Sequence, residues 1–162
     1  MNEAAKTVLS GLVKTWSRYS AEKSKLETTC QEVAVLAAKT IQGALAFLKE
    51  QHLEVECAAP TALSIMKVPV EVVPVVEGNF PNLKASVILR CGEAHRTILV
   101  DLAQNINAGG TTVPFEHFKR GIPDTFTLNA VEFVKDAFLH VARTGGKPHP
   151  AEPGASPTIP AK

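Results

Sequence analysis

The chain has 162 residues, of which 45% are apolar and 20% charged, and its 17 basic and 16 acidic side chains leave a net charge of +1. That length predicts one folded domain, since domains commonly run to about 100–200 residues, and the near-zero charge excludes recruitment to nucleic acid or an anionic membrane by bulk charge. Three cysteines cannot all pair, and a chain of this size needs no disulfide scaffold, so a reducing, cytoplasmic setting is expected.

No targeting or membrane-spanning segment is predicted. Lys6, Lys14 and Arg18 interrupt the apolar residues of the first 26 positions, so a secretory signal is not formed. Residues 33–48 are the most apolar run, but Lys39, Thr40 and Gln42 break it, and a bilayer span needs about 20 apolar residues.

A first helix is predicted over residues 3–25. Ala5, Val8, Leu9, Leu12, Trp16 and Tyr19 recur at three- and four-residue steps and form one stripe, which must be buried for the helix to be stable. Thr29-Cys30-Gln31-Glu32 fits a capping box, so a second helix is predicted from Thr29 to about Gln51. Its centre is apolar nearly all round, more than one sheet face needs. It is expected to lie between the sheet and the first helix, or at a subunit interface.

Residues 52–57 alternate and predict a strand with Leu53, Val55 and Cys57 on the inner side. Residues 63–76 read as one extended, β-branched strand at a sheet edge or bent there, because Pro69 and Pro74 cannot donate to a ladder. Residues 84–91 and 96–102 flank Gly92-Glu93-Ala94-His95 as a β-hairpin. A turn centred on Glu93-Ala94 would pair Cys91 with Arg96, Leu89 with Ile98 and Val87 with Val100. Ala85, Val87, Leu89, Cys91, Ile98, Val100 and Leu102 would then form the core face.

Residues 103–112 are a polar connection leading to a short helix at 113–118, capped by Thr112 with Pro114 in its first turn. A last helix is capped by Thr127, carries Leu128, Val131, Val134, Phe138 and Val141 as its stripe, and stops at Gly145. Five of the 11 prolines fall in residues 145–162, which predicts a flexible, Pro-rich tail with two PxxP matches, at 150–153 and 157–160. The predicted fold is therefore α+β. A single domain at 1–144 holds two N-terminal helices, an antiparallel sheet of about four strands with a central β-hairpin, and two C-terminal helices; the tail follows at 145–162.

Candidate chemistry is sparse. Cys91 and His95 are four apart, but the hairpin points them to opposite faces, so no thiolate–imidazole pair is expected. No CxxC, HxxxH or HExxH motif occurs, so neither a metal nor a cofactor is predicted. Glu54 and Glu56 share one strand face about 7 Å apart, as a general acid and base would, yet alternate glutamates are also what a solvated strand face carries. A small-anion or nucleotide site is the best ligand lead. Asn107, Gly109, Gly110, Thr111 and Thr112 run into the predicted helix N-terminus, with His117, Lys119 and Arg120 close behind. Lys84, Arg90 and Arg96, with Lys119 and Arg120, make a basic hairpin region of net charge 5 − 3 = +2 over residues 81–120, but no aromatic residue on its strands would stack a base.

The leading expectation is a non-catalytic protein-interaction or assembly module that self-associates or docks on a protein partner. The alternatives are a small-anion or nucleotide-binding domain, with or without enzymatic activity, using residues 107–112, and a nucleic-acid accessory protein using the hairpin.

Overall fold

The computed structural model describes residues 1–145; all of the predicted tail except Gly145 lies outside them. The first element is a single helix, α1 (Glu3–Glu50), of 48 residues. It is about 72 Å long at 1.5 Å per residue. The Asn2 side chain caps it by accepting a hydrogen bond from the Ala5 N–H at 2.8 Å. Two N-terminal helices are thus corrected to one. Between Gly11 and Gly43 the chain contains neither glycine nor proline, so nothing stops the helix where the capping pattern falls. Thr29 is buried in mid-helix, and its hydroxyl accepts a hydrogen bond from the Gln104 side chain.

The sheet has seven antiparallel strands in sequence order, not four. They are β1 (Val55–Ala59), β2 (Ala62–Ile65), β3 (Val68–Glu77), β4 (Lys84–Cys91), β5 (Ala94–Val100), β6 (Asn105–Ala108) and β7 (Thr111–Pro114). The run predicted as one strand at 63–76 folds back at Met66 and Lys67, whose φ angles are 47° and 70°. β2 pairs with β3 only at Val68 and Pro69, so the rest of β3 is paired on its β4 side alone.

The β4–β5 hairpin forms with a two-residue loop, Gly92-Glu93. Cys91 pairs with Ala94, Leu89 with Arg96 and Val87 with Ile98, a two-residue shift from the predicted register. An even shift keeps each side chain on its face. Ala85, Val87, Leu89, Cys91, Ile98 and Val100 are therefore buried as the alternation implies, whereas Leu102, beyond the strand, is 51% exposed.

The polar connection at 103–112 contains a second hairpin, β6–β7, turning at Gly109 and Gly110. Thr112 is a strand residue and caps no helix. The short element after it is a 3-10 turn (Phe115–Lys119) without a side-chain cap. Among the described residues the one C-terminal α-helix is α2 (Asp124–Thr144). It starts three residues ahead of Thr127 and ends at Gly145, whose φ is 68°. The predicted pair of C-terminal helices is thereby corrected to one.

The second half of α1 lies beside α2 on one face of the sheet. Val33, Ala37, Ile41 and Leu45 of α1 meet Val87, Leu89 and Ile98 of the sheet and Phe133 and Val141 of α2 in one core. The apolar rod at residues 33–48 therefore has the sheet and α2 as neighbours. The predicted first helix cannot cover it, because it is the same helix. The other sheet face is open, as antiparallel sheets allow.

Candidate functional site

The residues that α1 places outside the domain form the most distinctive surface. From Leu26 onward its stripe is Leu26, Cys30, Val33 and Ala37, all buried. Counting back in the same alternating steps of four and three gives Lys23, Tyr19, Trp16, Leu12, Leu9 and Ala5. That is one heptad seam. Its C-terminal half covers the sheet, and its N-terminal half runs past the end of the sheet. Residues 1–25 are exposed throughout except for Ala5 and Tyr19, which are half-buried. Val8 is 73% exposed, Leu9 46%, Leu12 62%, Val13 62% and Trp16 54%. We call this projecting part of α1 the arm.

One contact fixes which way the arm faces. Phe80, in the loop between β3 and β4, lies 5.8 Å from the Trp16 ring and 5.0 Å from the Tyr19 ring. The seam therefore faces the side of α1 on which the sheet lies, and Phe80 marks where the sheet's cover ends. Leu12, Val13, Trp16 and Ser17 surround a shallow apolar hole just beyond that point. Residues 4–21 carry Lys6, Lys14 and Arg18 and no acidic side chain. The sequence shows the arm's stripe but gives no sign of Phe80, which is 61 residues away from Tyr19.

A second apolar surface lies where α1 and α2 run side by side. Ala44, Phe47, Leu48, Leu53, Val131 and Phe138 line a groove of about 440 Å³ with Lys135 at its rim. Phe47 is 62% exposed there. Leu128 and Val131, predicted for the buried stripe of the last helix, are solvent-facing, and Phe126, Ala130 and Phe133 take the core instead.

The residues of the anion lead are built into the second hairpin. The Asn107 carboxamide accepts from the Gly110 N–H at 3.2 Å and donates to the Thr112 hydroxyl at 3.0 Å. Oriented to satisfy its neighbours, the Asn129 amide of α2 accepts from the Gly109 N–H at 3.2 Å and from Arg96 Nη1 at 3.3 Å. Both glycine amides thus meet side-chain acceptors, and Thr111 is exposed beside them. His117, Lys119 and Arg120 are exposed on the 3-10 turn and just past it, beyond the far end of β7. The structure joins Asn107, Gly109, Gly110 and Thr112 in one turn and sets the two cations apart from it.

Other candidates are occupied as well. Arg90 pairs with Glu71 at 3.1 Å on the open sheet face. Arg96 points to the opposite side, where it pairs with Asp136 of α2 at 2.7 Å and approaches Glu132 at 3.9 Å. The hairpin cations therefore do not share one face. Glu56 binds Lys49 at 2.6 Å, and that hydrogen bond raises the lysine's pKa. All three cysteines are free thiols. Burial pushes Cys91 up to about 11 and raises Cys30 too, against a smaller opposing effect of a backbone hydrogen bond at Ser86. Cys91 is thus a protonated core side chain at neutral pH, and a nucleophile would have to be a thiolate. Among the described residues, no three His, Cys, Asp or Glu side chains converge as metal ligands would. No described helix is long and apolar enough to cross a membrane.

No protein-family model, curated protein or solved structure matches the chain.

Proposed function

We propose that this chain is a non-catalytic assembly module that associates with protein, and first of all with itself, through the arm of α1. The observation that carries this is the exposure of Leu9, Leu12, Val13 and Trp16 on a helix that continues the heptad seam of the buried core. Exposed apolar patches of this continuity mark interaction surfaces. Free thiols on a chain without disulfides fit a reducing compartment.

Light scattering across a concentration series tests the proposal. The intact chain is expected to rise from 17.3 kDa toward twice that mass. Leu12→Glu is expected to hold it at the monomer mass and leave the thermal midpoint of the domain unchanged, since Leu12 makes no core contact. A wild-type chain that stays monomeric at every concentration overturns self-association, and a Leu12→Glu variant that associates like wild type overturns the arm as the surface that does it.

A further inference from the structure

We infer that the arm's occupant is the arm of a second copy, running antiparallel and set so that Leu9 meets the partner copy's Leu12 and Ala5 meets its Trp16. This rests on the reading of the arm as a self-association element and adds its geometry.

Trp16 and Tyr19 touch Phe80, so the seam and the sheet are on the same side of α1. Two copies pairing in parallel would bring equal levels of their helices together. Each partner helix, followed toward Leu26, would then run into the space held by the β3–β4 loop and the sheet. Antiparallel pairing has no such conflict. Each partner's sheet then lies beyond the other copy's Asn2 cap, and only its Phe80 loop reaches the level of residues 2–5.

Phe80 also limits the overlap. In an antiparallel pair an a position faces a d position of the partner. With Leu9 and Trp16 as a, and Ala5, Leu12 and Tyr19 as d, a deeper register would seat Leu9 on Tyr19, which Phe80 already covers. A shallower one would seat Ala5 on Leu9 and leave Leu12 and Trp16 bare. The register between them fits the side-chain sizes. The smallest seam residue, Ala5, faces the largest, Trp16, and leucine faces leucine. At this level Lys6 lies over the hole formed by Leu12, Val13, Trp16 and Ser17. Its methylene stem can cover that hole and its ammonium can sit over the electron-rich indole. No acidic or basic pair of like sign is opposed across the seam.

The area is consistent with a reversible dimer. Five large side chains per copy at the stated exposures, one of them an aromatic of about 150–250 Å², bury on the order of 1,000 Å² in total, the lower bound for a specific interface. Because both arms are basic, salt should strengthen the pair by screening, and binding of the same arm to anionic lipid would weaken with salt.

Disulfide trapping reads the register. In a Cys57→Ser background, with Cys30 and Cys91 buried, three samples are oxidised: Ala5→Cys alone, Trp16→Cys alone, and their equimolar mixture. In the inferred dimer, like cysteines stand eleven residues apart along the axis, about 16 Å, beyond disulfide reach. Cross-linked dimer in the mixture is expected to exceed either single sample at least tenfold. In the unmodified chain, emission from the single tryptophan, Trp16, is expected to shift blue with protein concentration, more so at higher salt. Self-cross-linking of each variant as efficient as cross-linking in the mixture shows parallel pairing, which overturns this geometry and leaves self-association standing. A chain that stays monomeric in light scattering, with a blue shift seen only on phosphatidylglycerol vesicles and lost in salt, overturns both.

Discussion

Truncation of Phe126 to alanine is expected to lower the stability of the folded domain by about 3–5 kcal/mol, the range for a buried phenylalanine. Phe126 is 2% exposed and sits in the first turn of α2. Its ring meets Phe118 edge-on at 5.1 Å, and Phe118 stacks on Phe115 at 5.7 Å. Pro123 offers no side-chain cap to α2, so these three rings hold the helix start to the 3-10 turn. Urea unfolding measures the effect as a lower midpoint at unchanged slope. Phe47→Ala is the internal control. Phe47 is 62% exposed, and its loss should cost less than about 1 kcal/mol. Equal losses at the two positions would contradict the placement of the core.

The second large effect is expected at Gly109. Its φ is +66°, and a Cβ there would lie 2.8 Å from the Asn129 side-chain amide. An alanine would therefore combine left-handed backbone strain of about 1–2 kcal/mol with displacement of the amide that accepts from Gly109 and Arg96. Gly109→Ala should cost about 2–4 kcal/mol in all. Gly110 also has positive φ, at +85°, but a Cβ there would meet nothing within 4 Å, so Gly110→Ala should cost only the backbone strain. Unfolding curves of the two variants separate the contributions, and equal midpoints would show that the Asn129 contact does not matter.

The sequence and the structure agree where the pattern is local and periodic. Alternation at residues 84–91 and 96–102 puts Ala85, Val87, Leu89 and Ile98 on the core side, as the structure has them, but also Leu102, which is exposed. That result survived a register error because the error was an even number of residues. The stop at Gly145 was legible because a left-handed glycine ends helices for a backbone reason alone. Disagreement came where one local signal had two outcomes. Thr29-Cys30-Gln31-Glu32 satisfies a capping box, yet without a preceding breaker the helix simply continues, and the Thr29 hydroxyl finds Gln104 instead. Residues 63–76 look uniformly extended, and the turn at Met66 and Lys67 carries no glycine or asparagine to reveal it. Gly109-Gly110 before Thr112 resembles a loop entering a helix, but two successive positive φ angles suit a tight hairpin equally well.

Legibility of the site divides in the same way. Leu9, Leu12 and Trp16 are visible in the sequence as a stripe that needs cover, and among the described residues only Phe80 covers it, at one end. The facing direction depends on Phe80, a contact made across the fold that no periodicity encodes. The apolar rod at 33–48 pointed to an interface for a different reason. Its surplus of apolar surface is met largely by the sheet and α2, and its exposed remainder is Phe47 and Val35.

The arm contains Gly11 and the β-branched residues Thr7, Val8, Val13 and Thr15, all poor helix formers, and among the described residues it has, beyond Phe80 at one end, little of the tertiary packing that stabilises most protein helices. Amide hydrogen exchange over residues 3–21, followed as a function of protein concentration, measures directly whether something outside the chain supplies that packing. Fast exchange in dilute protein, slowing at least tenfold as concentration rises while the amides of α2 stay unchanged, is the predicted result. Exchange in the arm that is equally slow at every concentration would show the helix to be stable alone and would contradict its role as an association element.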